Sequence, residues 1–287
     1  MKFKLSNTWK ATLPLALGLA VASSGTQALS LWGGLNAFED DNMETQGVDL
    51  NQNGLLDMGD TIRGTITFTK QFDPFSLHDT ITLGAPGEEL TGIFETEVVA
   101  KIDNGDGTFN YVFGAYSGFE ADYGTNAMVA LFTENPGDFY TTGTDRCSSI
   151  VDCETKATDG SAWMTFGVVG DADNFWVALN VDGDDVDFSN VAASRKVGFV
   201  NYALSVLTNS TPYTILQQVS CSSGCAGDGL VDIIGSGDLL GGQGLTNGYT
   251  VRSDIDFQIR VVPTPGSLAL LGLGLLGLAG ARSRKKA

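Results

Sequence analysis

An all-β fold of the antiparallel sandwich type follows from three features of the sequence. From Tyr249 to Val261, apolar residues alternate with polar ones: Ile255, Phe257, Ile259 and Val261 share one face, Asp254, Asp256, Gln258 and Arg260 the other. Period two over thirteen residues is the pattern of a strand with one buried face. Turn-forming clusters such as Asp103-Asn104-Gly105-Asp106-Gly107, Asp182-Gly183-Asp184-Asp185 and Asn247-Gly248 punctuate the chain. Between residues 31 and 261 no stretch carries a helical apolar stripe. Many strands with Gly/Asp turns predict one sandwich domain over 31–261, with jelly-roll or immunoglobulin-like topology.

Taken in order, the chain opens on Lys2, Lys4 and Lys10, an apolar run from Ala11 to Ala22, and then small and polar residues. That is the layout of a signal peptide, assigned to residues 1–30. Cleavage after Ala28 or after Ser30 satisfies the small-x-small requirement. Strands follow at Thr61–Thr69, Leu90–Ile102, Thr108–Phe113, Ala127–Phe132, Ser161–Val169, Asn174–Val181, Lys196–Leu207 and Tyr213–Ser220, all rich in β-branched and aromatic residues. The Asp103–Gly107 cluster predicts a hairpin between two of them. The Ser/Gly-rich stretch 220–248 reads as a long surface excursion before the last strand.

All 34 Asp and Glu lie between the two ends, with only nine of the 16 Lys and Arg. Such a body repels nucleic acid and anionic lipid, and excludes a nucleic-acid partner. Acidity also keeps secreted proteins soluble, so it names no ligand. Cys147, Cys153, Cys221 and Cys225 suit an oxidising compartment. Of three possible pairings, the local ones, Cys147–Cys153 and Cys221–Cys225, are preferred because each brackets a short polar loop. A zinc reading is weak, since no C-x-x-C occurs and the single histidine, His78, is distant in sequence.

The sharpest local pattern runs from Asp49 to Asp60. Oxygen-bearing side chains at Asp49, Asn51, Asn53, Asp57 and Asp60 occupy positions 1, 3, 5, 9 and 12 of a twelve-residue calcium loop, with Gly54 at position 6. Hard cations need several oxygens converging from a short loop, and this spacing supplies them. The flank is a strand, so the segment resembles the Asp-x-Asn-x-Asn-Gly openings of bacterial surface β-domains, and Asp60 closes it as in dockerin-like loops. A structural calcium ion is the expected cofactor. The competing reading is an Asx-rich turn whose side chains bond their own backbone. The acidic groups Asp103/Asp106, Asp171/Asp173, Asp182/Asp184/Asp185/Asp187 and Asp228/Asp232/Asp238 read as solvated turns.

Enzyme chemistry has little support. There is no G-x-S-x-G, and Ser76, His78 and Asp79 lie too close along one short stretch to form a triad. A pair of carboxylates for glycoside hydrolysis always exists among so many acids, so a secreted glycosidase ranks third. A carbohydrate-binding module would present aromatic faces: Trp32, Tyr116, Tyr123 and Tyr140 are candidates, whereas Trp163 and Trp176 sit in strand-like runs that suit a core.

The chain ends on Val262-Pro263-Thr264-Pro265, a Leu/Gly-rich run from Leu268 to Ala281, and the cations Arg282, Arg284, Lys285 and Lys286. As a helix, Ser267–Ala281 would be ~22 Å long, short of the ~30 Å hydrocarbon core. Counted from Val261 the helix reaches ~31 Å, a marginal span, and four glycines weaken it. The terminal cations would stay cytoplasmic. A transient membrane stop and an ordinary single-pass anchor both satisfy this physics. Residues 262–287 resemble the PEP-CTERM sorting signal of Gram-negative bacteria, with Thr264 where that family usually has Glu. The resemblance implies processing by an exosortase at the inner membrane and delivery to the cell surface or extracellular matrix. The expected function is therefore a non-enzymatic structural or adhesive protein of a biofilm or floc. The alternative is a calcium-assisted, lectin-like module for exopolysaccharide.

Overall fold

The computed structural model describes residues 29–84, 87–139, 147–219 and 226–263. Residues 1–28 of the expected signal peptide 1–30, together with Tyr140, Cys221, Cys225, Thr264, Pro265 and the basic tail, fall outside them. The described body is mostly antiparallel β. Its strands are β1 (Gly34–Gln46), β2 (Thr61–Phe72), β3 (Ile81–Thr82), β4 (Glu89–Asp103), β5 (Thr108–Ala115), β6 (Ala127–Glu134), β7 (Ser161–Gly167), β8 (Phe175–Asp182), β9 (Lys196–Asn209), β10 (Tyr213–Leu216), β11 (Gln218–Val219), β12 (Leu230–Val231), β13 (Ile233–Gly241) and β14 (Val251–Pro263). Two short helices, α1 (Ser117–Tyr123) and α2 (Ile150–Thr158), interrupt them.

Strand pairing closes on itself. From β2 the ladder runs through β1, β14, β13, β9, β7, β6 and β4, and β4 pairs with β2 again. The two long strands β4 and β9 make the closure forked. Residues 89–94 of β4 pair with β6 and 96–103 with β5. Likewise β9 pairs through 199–203 with β8 and through 205–209 with β7. Rings therefore meet across the interior from strands that share no ladder: Phe38 of β1 approaches Trp163 of β7 at 6.2 Å, and Phe166 of β7 approaches Phe257 of β14 at 6.3 Å. These aromatic side chains fill one end of the body, and each buries a large apolar area.

β14 confirms the period-two reading. Ile255, Phe257, Ile259 and Val261 are buried while Asp254, Asp256 and Arg260 are exposed. It is an inner strand, paired with β1 on one side and with β13 and β10 on the other. The stretch 220–248 departs from its reading as a surface excursion, because β13 lies within it between β14 and β9. Its glycines hide a strand. A Cβ on Gly237 would lie 1.9 Å from the Asp254 carbonyl oxygen, so only glycine lets the neighbouring backbone approach. β1 also escapes the apolar alternation, since its inward positions Asn36, Asp40, Asn42 and Glu44 are polar and buried.

The helices were not foreseen either. α2 starts at Ser149, whose hydroxyl accepts the Asp152 N–H. It is fixed beneath by the Cys147–Cys153 disulfide, which packs with Met43, Phe139, Ala157 and Tyr249 in a satellite core. At the other end, Leu29 and Leu31 already belong to the main core, with 1% and 3% of their surface exposed. Among the described residues no helix is long and apolar enough to cross a membrane.

Candidate functional site

The 49–60 loop links β1 to β2 and closes one end of the body. Its side chains are turned onto the loop itself. Asp49 accepts the N–H groups of Asn53 at 3.3 Å and Gly54 at 2.9 Å. Asn53 Oδ1 accepts the Leu55 N–H at 2.7 Å. Asp57 accepts the side-chain amides of Asn51 and Asn53 at 3.1 and 2.9 Å, and its other oxygen meets Lys101 Nζ at 2.9 Å. Asp60, fully buried, accepts the N–H groups of Leu50 and Asp57, both at 2.8 Å. The arrangement is a set of linked Asx turns. The carboxylates of Asp49, Asp57 and Asp60 are not gathered within 4.8 Å of one another. Lys101, followed by the Asn53 and Asn51 amides, holds the Asp57 pKa down at about 2.

What the loop accomplishes structurally is visible at Leu56. This side chain is 1% exposed, and its N–H donates to the Asp184 carbonyl at 2.6 Å. Lys101 reaches Asp184 as well as Asp57, at 3.1 Å, so one cation pins the loop to the turn after β8. Leu56 thereby plugs the wall of a cavity of about 80 Å³ whose lining comes from β1, β2, β4, β5, β8, β9, β13 and β14.

The cavity walls are mostly apolar, and a stripe on β1 carries most of their polar groups. Asp40, Asn42 and Glu44 project to the same side because their spacing is two. Asp40 accepts the Ile255 N–H at 2.8 Å. Asn42 donates to Ser253 Oγ at 3.1 Å, and Ser253 in turn donates to Glu44 Oε1. Asn42 Oδ1, Glu44 Oε2 and the Tyr111 hydroxyl, all on residues lining the cavity, have no hydrogen-bond partner among the described residues. Burial drives the Asp40 pKa well above the carboxylate range against the opposing Ile255 bond. Burial likewise raises Glu44 to about 8, with the Ser253 hydroxyl opposing it. The space suits a few waters bridging these polar atoms. It is far below the ~300–1,000 Å³ of a pocket for a drug-sized ligand. No run of residues in the sequence flagged this stripe, because its acids read as surface.

The other sequence candidates disperse. Trp163 and Trp176 are buried, as their strand context implied. Trp32 is half-buried and stacks on His78, ring centres 4.9 Å apart and 9° from parallel. Tyr123 packs on Phe119 at 4.5 Å. Tyr116 is half-buried beside α1. Asp173 is not the solvated turn residue expected: it is buried and accepts the N–H groups of Gly227 at 2.9 Å and Gly229 at 2.6 Å, tying two loops together. The Asp103–Gly107 hairpin is present, with Asp103 accepting the Gly105 N–H at 2.7 Å. Of the expected sorting motif, Val262 and Pro263 form the end of β14. No protein-family model matches the chain, and no curated protein matches it significantly.

Proposed function

We propose that this chain is exported, processed by an exosortase at the motif beginning Val262-Pro263-Thr264-Pro265, and retained at the surface or in the extracellular matrix of a Gram-negative bacterium as a structural or adhesive protein. The terminal segments carry the reading: a charged n-region with an apolar run at one end, and the Pro-x-Pro, Leu/Gly-rich run and Arg282–Lys286 cluster at the other. The buried Cys147–Cys153 bridge supports it, since such a bond belongs to an oxidising compartment. The burial of Trp163 and Trp176 favours the structural role over a sugar platform. We read the body as a sandwich of jelly-roll or immunoglobulin-like kind whose margins are joined by β4 and β9. Mass spectrometry of the native C-terminus tests the function. A chain lacking Arg282–Ala287 is the expected result; recovery of the intact cationic tail overturns it.

A lectin-like role has one supporting observation, a depression of about 410 Å³ whose lining includes Asp122, Tyr123, Phe132 and Asn209. An acid, an amide and aromatic rings are the usual equipment for holding a sugar. Binding of the purified protein on a glycan array, abolished by Tyr123→Ala, would select this reading. For the 49–60 loop, a structural calcium ion is the accompanying proposal. It rests on the residue types at positions 1, 3, 5, 9 and 12, and binding would require Asp49 and Asp57 to exchange their present N–H partners for the ion.

A further inference from the structure

Three carboxylates that lie far apart in sequence meet at the end of the body opposite the 49–60 loop. Glu89 opens β4, Glu134 closes β6, and Asp138 follows in the segment leaving β6. One oxygen of each lies within 4.8 Å of the others. Glu89 is 1% exposed, Glu134 is half-buried and Asp138 is exposed, so the group forms a pit open on one side.

Glu89 uses one oxygen, Oε2, to accept the Phe139 N–H at 2.8 Å. Its other oxygen, Oε1, is buried with no hydrogen-bond partner among the described residues, and so is Glu134 Oε2. A buried acceptor without a donor is destabilising, and more so when it is charged. No Lys or Arg is bonded to any of the three among the described residues. The backbone is shaped to bring the segment this close. A Cβ on Gly137 would lie 2.3 Å from Glu89 Oε2, so only glycine lets the chain fold over the glutamate.

We propose that Glu89, Glu134 and Asp138 bind one oxygen-seeking divalent cation. Calcium places its oxygen ligands at about 2.3–2.6 Å, so two ligands of one ion lie no more than about 5 Å apart, which the cluster satisfies. The unpartnered Glu89 and Glu134 oxygens supply two ligands, Asp138 a third, and the open side admits water for the remainder. The ion joins the start of β4 to the end of β6. The site is independent of the 49–60 loop, which contacts β4 at Val98 and Lys101, about 30–40 Å along the same strand.

Calorimetry of the full-length chain with calcium chloride and magnesium chloride, after treatment with a chelator, tests the proposal. The parent chain is expected to gain about 5–10 °C in Tm at a hundredfold excess over Kd. Asp138→Asn and Glu134→Gln relieve the repulsion between carboxylates, so their cation-free Tm is expected to equal or exceed that of the parent. Both are expected to lose one bound cation and most of its Tm gain, while Asp49→Asn retains that cation. A parent chain that responds to neither cation overturns the proposal. So does a response undiminished in Asp138→Asn and Glu134→Gln.

Discussion

Ser253 of β14 donates its hydroxyl hydrogen to Glu44 of β1, joining inside the body two residues 209 positions apart. This is the one hydrogen bond of the Glu44 carboxyl group among the described residues, because Oε2 has no partner. Burial outweighs it and lifts the pKa from its ordinary 4.5 to about 8. At neutral pH the group is therefore mostly protonated in the folded chain and ionised in the unfolded one.

The sign of the pH dependence follows. Between about pH 4.5 and 8 the folded chain holds a proton that the unfolded chain has lost, so Glu44 lowers stability as pH rises through this window. The slope approaches about 1.4 kcal/mol per pH unit for one proton. Asp40, raised by the same burial, adds to it with the same sign. Glu44→Gln keeps an acceptor for Ser253 and cannot ionise. Denaturant melts at pH 5, 7 and 9 are expected to show the variant more stable than the parent at pH 9 and nearly equal at pH 5. Parallel curves for the two chains would remove Glu44 as the titrating group.

Lys101 separates the packing role of the 49–60 loop from any cation it takes. The ammonium bridges Asp57 and Asp184 while only 17% of its side chain is exposed. Lys101→Met leaves both acids without their cation and is expected to cost about 1–3 kcal/mol, between the values for surface and buried pairs. Leu56→Ala, which empties the plug, is expected to cost about 2–5 kcal/mol. If urea melts of Leu56→Ala match the parent, the loop does not seal the interior.

How far the chain announces itself differs by element. The last strand is legible because one wall faces the core and the other faces water, so its polarity alternates; Thr61–Thr69 and Thr108–Phe113 alternate as well, although the threonine face of the former, Thr61, Thr65 and Thr67, is itself buried. β13 is opaque since its packing demands absent side chains at Gly235 and Gly237 rather than large ones. β1 is opaque for the reverse reason, as its buried face carries Asp40, Asn42 and Glu44 around a small cavity. The Asp49–Asp60 loop was conspicuous because its acids are local. Glu89, Glu134 and Asp138 come from segments up to 49 residues apart, and only the pairing of β4 with β6 brings them together.

Leu29 bears on where the proposed leader would be removed. Its side chain is buried in the main core, and the next residue, Ser30, offers its carbonyl to the buried Gln71 Nε2 at 3.1 Å. Cleavage after Ser30 would discard both contacts, including the ~1.5–3 kcal/mol gained by burying a leucine. Cleavage after Ala28 keeps them. Under the proposed export, N-terminal sequencing of the native protein is therefore expected to begin at Leu29. A chain beginning at Leu31 would show that the body tolerates the loss.

The Cys147–Cys153 bridge closes a short loop over α2, and its stabilisation comes from restricting the unfolded chain. For a closed loop of this length the chain-entropy relation gives about 2 kcal/mol. Both sulfurs are buried beside Met43, Phe139 and Tyr249, so reduction also loosens the packing that seats α2 against the sheet. Arg63 of β2 pairs with Glu154 of α2 and holds the helix from its other side. A Cys147→Ser/Cys153→Ser variant is expected to melt about 4–8 °C lower while keeping the strand signal in far-ultraviolet circular dichroism. In native-state hydrogen exchange, faster exchange confined to residues 147–160 would place the loss in the helix. Uniformly faster exchange would show instead that the bridge stabilises the whole ring of strands.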